Sequence, residues 1–174
     1  MEINTKLEEK FIHIYEEMAD AIYRHCYFRL PNSDIAQDIT QKTFEKTWQY
    51  LVEGKEIKNT KPFLYKIANN LIIDEYRRKK PVSLDDLMEQ DTFLEENLNL
   101  SSNDHEKTIS ALEAKDAVKT LNQLGGAYKS IVAMRYIEDL SVKEISEITG
   151  ERENTVSVKI HRGLNKLKEL IDTK

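Results

Sequence analysis

Apolar residues recur at spacings of three and four along most of this chain, and the residues that interrupt helices fall between those stretches. Pro31, Gly54, Pro62, Pro81, Gly125, Gly126 and Gly150 all punctuate the pattern, and only Gly163 lies inside a segment that reads as helix. No alternating β pattern of useful length appears. The expected fold class is therefore all-α, and the placement of the breakers sets its elements.

The first helix is expected from about Lys6 to Leu30, with Leu7, Phe11, Ile14, Met18, Ile22 and Cys26 on one face. Pro31-Asn32-Ser33-Asp34 stops it and offers caps for a second helix, Asp34 to Leu51, whose apolar side is Ala36, Ile39, Phe44, Trp48 and Leu51. A lysine-bearing loop follows. Asn59 or Thr60 can cap a third helix, with Pro62 in its first turn, where a missing N–H costs nothing. Leu64, Ile67, Ala68, Leu71 and Ile72 form its buried stripe, and it ends in Arg77-Arg78-Lys79-Lys80 before Pro81.

Charge divides the chain where periodicity fades. Residues 1–80 carry 14 basic and 13 acidic residues, residues 81–112 carry 1 and 8, and residues 113–174 carry 11 and 10. Two small helical domains joined by an acidic, flexible linker are expected, with boundaries 1–80, 81–108 and 109–174. Asn103 and Glu106 resemble a capping box for a fourth helix, with Ala114, Ala117, Val118, Leu121 and Leu124 facing a core and Gly125-Gly126 ending it. Tyr128–Tyr136 reads as a short helix. Ser141 and Glu144 form a second capping box, opening the helix SVKEISEI; Thr149-Gly150-Glu151 turns the chain into a last helix reaching about Ile171.

Two helices joined by a short glycine-bearing turn are the helix-turn-helix pattern. At 100° per residue, Val156, Ile160, Gly163, Leu164, Leu167 and Ile171 share one side of the last helix. Asn154, Val158, His161, Arg162 and Asn165 gather opposite, flanked by Thr155, Lys159 and Lys166 on one edge and Ser157 and Lys168 on the other. Arg and Asn side chains can bond guanine and adenine edges in a major groove, and lysines suit phosphates. An amphipathic helix with a solvated basic face is the plainer alternative. Gly163 costs about 1 kcal/mol relative to Ala in a helix, which a close helix–helix approach would justify.

Other classes find little support. Hydrophobic residues make up 40%, with no run near the roughly 18 that a spanning helix needs. The start MEINTKLEEKF lacks a signal-peptide pattern, and the lone Cys26 allows no internal disulfide, so a cytoplasmic product without membrane insertion is expected. His13, His25, His105 and His161 are scattered, and neither a phosphate-cradling glycine loop nor a cysteine pair for zinc occurs, so no enzyme, metal or cofactor is expected.

Three segments carry a family resemblance. DIAQDITQKTFEKTWQ (34–49), PFLYKIANNLIIDEYRRKK (62–80) and YKSIVAMRYIEDLSVKEISEITGERENTVSVKIHRGLNKLKEL (128–170) together resemble a bacterial RNA polymerase sigma factor of the extracytoplasmic-function (ECF) group of the sigma-70 family. The resemblance spans about residues 8–80 and 109–171. It implies a promoter-directing initiation factor, a monomer when free, whose partners are core RNA polymerase, promoter DNA and an anti-sigma factor. Asp34, Gln37, Asp38, Gln41, Glu45 and Trp48 would dock on the polymerase; a solvated face is the alternative. Lys58, Asn59, Lys61, Phe63, Lys66, Asn69 and Asn70 would hold unpaired bases of the minus-ten element, and Arg77, Arg78, Lys79 and Lys80 its phosphates. Phe63 stands where the family often has tryptophan, and Asn70 and Asp74 match family positions that are equally open to a structural reading. The minus-thirty-five element would fall to Arg152, Asn154, Thr155, Ser157, Val158, Lys159, His161, Arg162 and Lys166. Arg152 takes a place where the family often has a serine cap. The linker would thread the polymerase's nucleic-acid channel or merely solvate. A stand-alone helix-turn-helix regulator is the competing reading; it predicts a palindromic operator and leaves 34–51 and 62–80 unexplained.

Overall fold

A computed structural model describes residues 2–79 and 119–173. Within them the chain is helical, with no strand. The six helices bounded at both ends are α1 (Glu2–Tyr27), α2 (Ser33–Val52), α3 (Thr60–Lys79), α4 (Gly126–Tyr136), α5 (Val142–Thr149) and α6 (Glu153–Asp172), and residues 119–122 are helical as well. The expected linker 81–108, the expected helix start at Asn103, and Lys80 lie outside the described residues.

The first three helices pack on one another. Ile14, Ile22 and Cys26 of α1 are buried, with Leu7, Phe11 and Met18 partly so. The helix stops at Tyr27, three residues before the expected end, because Pro31 disfavours helical geometry for the residue before it. Leu30, beyond the helix, is still buried. The Asn32 side chain accepts from the Ile35 N–H at 2.9 Å and caps α2. Thr43 and Thr47 lie fully buried in α2, and their hydroxyls donate to the carbonyls of Ile39 and Thr43 at 2.8 Å, so neither is left unsatisfied. Pro62 is buried in the first turn of α3.

The last three helices form the second group. Leu121 and Leu124 are buried as expected, but the glycines act differently. The N–H groups of Gln123 and Leu124 already close turns on Thr120 and Leu121, and Gly125 is the N-cap that opens α4. The Ser141–Glu144 capping box is complete, and Gly150 ends α5 with φ +75°, a conformation only glycine adopts freely. On α6, Val156, Ile160 and Gly163 are buried. Leu164 and Ile171, expected on the same buried side, are exposed, and Leu167 and Leu170 are the residues that reach the core formed by Leu121, Leu124, Val132 and Ala133. A Cβ at residue 163 would lie 2.6 Å from Val132 Cγ2, so the glycine allows α6 to meet α4.

The two groups are not independent bodies on a string. Helix α3 packs on α5, and one buried cluster runs from Ile14, Leu64 and Ile72 through Met134, Leu140 and Ile145 to Val156 and Ile160. Sequence periodicity gives no sign of this closure.

Candidate nucleic-acid interface

Helix α6 presents a polarised outer face. Asn154, Thr155, Ser157, Val158, His161, Arg162 and Asn165 are all exposed, opposite Val156 and Ile160. Arg152 sits at the N-cap, exposed and with no side-chain cap bond. Arg152, Arg162 and Lys168 have no ion-pair partner among the described residues. Two of the expected phosphate lysines are engaged within the protein. Lys159 is held by Glu151 Oε1 at 2.6 Å, and the Lys166 ammonium lies 4.5 Å from the Tyr128 ring centre. The unpaired cations are therefore Arg162 on the expected reading face, Arg152 at the helix entrance and Lys168 on one edge, while Asn165 and His161 of the reading face lie 3.3 Å apart.

The second basic surface runs along α3 and the loop before it. Lys58, Asn59, Lys66, Asn70, Arg77, Arg78 and Lys79 are exposed; Lys61, Phe63 and Asn69 are partly covered. Phe63 packs against Tyr50, ring centres 4.8 Å apart, which leaves one aromatic pair at the mouth of the loop. Glu75 receives Arg78 at 2.9 Å and Lys79 at 3.4 Å, and Asp74 lies 3.9 Å from Arg77. Burial works against the Glu75 charge, but hydrogen bonds and charge from Arg78 and Lys79 outweigh it and lower its pKa. The three cations are themselves exposed, so they can still exchange onto phosphates. Lys61 points elsewhere: its ammonium donates to the Asp139 carbonyl of the second helical group at 3.1 Å.

A third surface lies between α1 and α2. A groove of about 710 Å³ is lined by Gln37, Gln41, Glu45 and Trp48 of α2 together with Phe11, Ile12 and Tyr15 of α1. Asp34 and Asp38 are exposed on the same helix but outside it, and Asp38 is paired with Lys42 at 2.7 Å. Ile12 and Tyr15, 53% and 50% exposed, escape the stripe reading because they lie beside the core positions Phe11 and Ile14 rather than on them. Their signal is an apolar arc wider than three helices' mutual packing requires. Among the described residues no cluster of three or more His, Cys, Asp or Glu side chains could hold a metal, and no helix is long and apolar enough to cross a membrane.

With these surfaces located, the likeness to known proteins is specific. Family profiles for sigma-70 region 2 and sigma-70 region 4 match residues 14–82 and 115–167. The chain is 33% identical over 142 residues to RNA polymerase sigma factor SigV of Bacillus subtilis, covering 82% of this chain and 79% of that one. It is 30% identical over 169 residues to ECF RNA polymerase sigma factor SigW of the same organism, covering 93% and 89%. In fold it is similar to the sigma factor RpoE of Bartonella quintana, solved with the anti-sigma factor NepR (TM-score 0.71, 20% identity, 94% and 98% covered). It is also similar to CnrH, solved with the cytosolic domain of CnrY (TM-score 0.66, 17% identity, 96% and 90% covered). A stand-alone helix-turn-helix regulator has no place for the region 2 match. The chain belongs to the sigma-70 family, in its extracytoplasmic-function group of RNA polymerase sigma factors.

Proposed function

We propose that this chain directs core RNA polymerase to specific promoters and promotes DNA melting there, through a region 2 domain (1–80) and a region 4 domain (109–174) joined by an acidic linker. One observation carries the reading: both sigma-70 regions lie in order on one chain, and each bears an exposed face whose chemistry suits a different form of DNA. The outer face of α6 fits a major groove, with Arg162 and Asn154 for base edges and Arg152 at the entrance. The loop and outer side of α3 fit single-stranded DNA, with Phe63 for stacking, Asn69 and Asn70 for base edges and Arg77 to Lys80 for the backbone. The groove between α1 and α2 docks the polymerase through Trp48 and the polar rim of Gln37, Gln41 and Glu45.

Trapping unpaired bases pulls the equilibrium toward an open promoter without fuel. The net charge of −5 argues against tight DNA binding by the free chain, since bulk attraction to phosphates needs a basic surface. DNA engagement is productive on the polymerase, in the cytoplasm. An anti-sigma factor is the expected inhibitor, as RpoE and CnrH were solved with such partners or with a CnrY domain.

Run-off transcription with core polymerase on a random promoter pool tests the reading. The expected output is a set of transcripts sharing two spaced elements. Arg162→Ala relaxes the upstream preference, and Asn69→Ala impairs opening more than initial binding. Failure of purified core polymerase to associate with the chain would overturn the assignment.

A further inference from the structure

Glu151 lies in the turn of the helix-turn-helix, and the turn fixes its backbone to α5. The Ser146 hydroxyl of α5 donates to the Glu151 carbonyl at 2.5 Å. The Glu151 N–H donates to Thr149 Oγ1 at 3.3 Å, and that hydroxyl in turn donates to the Ile145 carbonyl at 2.8 Å. Gly150 supplies the left-handed step between Thr149 and Glu151. From this fixed point the Glu151 side chain reaches across to α6. Its Oε1 takes the Lys159 ammonium, eight residues along the chain, at 2.6 Å.

Lys159 flanks the reading face of α6, on the edge it shares with Thr155 and Lys166, where a phosphate contact is expected. Its pair with Glu151 is sheltered from solvent. The two side chains are 26% and 25% exposed, and Glu151 Oε2 is buried without a hydrogen-bond partner. Among the described residues, Lys159 is the one cation this carboxylate has.

The choice open to Lys159 is between two anions. A bond to a carboxylate and a bond to a DNA phosphate are both charge-assisted, so exchanging one for the other gains the ammonium little. The exchange would strand a mostly buried carboxylate with neither oxygen satisfied, beside an incoming phosphate of the same sign. The balance therefore keeps Lys159 on Glu151. Arg152, Arg162 and Lys168 carry no such restraint.

We propose that Glu151 is a positioning residue that withholds Lys159 from the DNA backbone, so that Lys159 belongs to the frame of the helix-turn-helix and α6 meets duplex DNA with Arg152, Arg162 and Lys168 as its available cations. The consequence is discrimination. A lysine–phosphate contact adds affinity for every duplex alike. Removing one from the border leaves more of the outcome to the base-edge donors Arg162 and Asn154. The inference rests on the reading of α6 as a major-groove helix, but the state of the pair is a property of the free chain.

Two measurements on the full chain test it. Acetic anhydride footprinting read by mass spectrometry reports the ammonium directly. Lys159 should acetylate several-fold more slowly than Lys168 in the parent, and Glu151→Gln should remove most of that difference. The second measurement is the salt dependence of binding to mixed-sequence duplex DNA at low ionic strength, for the parent, Glu151→Gln, Lys159→Met and the two substitutions combined. These replacements keep the side-chain length or apolar stem, and circular dichroism checks that helix is retained. Each phosphate contact contributes about 0.9 to the slope of log K against log salt. Lys159→Met should leave the parent slope unchanged, whereas in the Glu151→Gln background it should remove about 0.9. The general field of either charge cancels in this cycle, so only release of the ammonium produces the coupling. A loss of about 0.9 in both backgrounds would make Lys159 an ordinary phosphate contact and overturn the proposal. No loss in either background, or equal acetylation of Lys159 in the parent and Glu151→Gln, would overturn it as well. Neither measurement needs polymerase, so failure of core polymerase to associate would end the sigma-factor reading and leave this one judged on its own results.

Discussion

Single residues in this protein are decided by what lies opposite them. Gly163 is the clearest case. Alanine there favours helix by about 1 kcal/mol. Yet its Cβ would sit 2.6 Å from the Cγ2 of Val132, a buried β-branched residue with one stiff torsion to give. Overpacking of this kind costs about 1–3 kcal/mol, so Gly163→Ala is expected to destabilise the chain by about 1 kcal/mol net in thermal unfolding. Val132→Ala should rescue part of that loss when combined with it, giving a favourable coupling in a double-mutant cycle; strictly additive effects would refute the close approach. His25 makes the complementary point. Burial, helped by the Arg29 charge and opposed by Glu138, lowers its pKa, so it is neutral near pH 7. Its partner Glu138 is an ionised acceptor, so Nδ1 carries the proton. Cys26, one residue away, is pushed up to about 11 by burial and is packing rather than a reactive thiol.

At the scale of elements, most of what the sequence signalled concerned ends and faces. The Ser141–Glu144 box, the turn at Gly150 and the outer face of α6 were all legible, because each depends on residues within one or two turns of each other. The missing cap at Arg152 was legible too, and it yields a separable prediction. Arg152→Ser should stabilise the chain by up to about 1 kcal/mol, by supplying the side-chain acceptor that α6 lacks. If Arg152 also contacts promoter DNA, the same variant should weaken transcription while raising the unfolding temperature. A lower unfolding temperature would contradict the cap argument. The groove between α1 and α2 was half legible. Its α2 rim stood out by composition, whereas Ile12 and Tyr15 are set in place by how two helices pair, which periodicity within one helix does not encode. Being about half exposed, Ile12→Ala and Tyr15→Ala should each change stability by less than about 0.5 kcal/mol. Each should weaken core polymerase binding by about 1 kcal/mol or more if the groove is the docking site, measurable by fluorescence titration. Unchanged affinity in both would move the docking surface elsewhere.

The whole molecule is where sequence reading ran out. Glu138 and His25 are 113 positions apart, and nothing in the spacing of either announces the other. His25 reads as one of four scattered histidines, and Glu138 as one more acid in a turn. The all-α class and the helical groups followed from local pattern; their closure follows from a long-range electrostatic match that only the fold reveals. That match sets a pH dependence. Burial opposes the Glu138 charge, but the Arg29 guanidinium and the His25 ring outweigh it and hold the carboxyl down at about 2, against an ordinary 4.5. A group depressed in the folded state contributes stability above its unfolded pKa and loses it as pH falls toward its folded pKa, here from about 4.5 to about 2. The contribution is on the order of 3 kcal/mol at neutral pH. His25, also depressed, has the same sign, losing stabilisation as pH falls below 6.5. Tyr65, pushed up to about 12 by burial first and then by the Glu138 charge, stays neutral throughout. Comparison with Glu138→Gln cancels the other carboxylates. The parent should exceed the variant in urea-unfolding stability at pH 7, and this advantage should shrink by about 2 kcal/mol between pH 5 and pH 3. An advantage unchanged over that window would mean that Glu138 is not held ionised between Arg29 and His25, and that the two groups stay together by apolar contact alone.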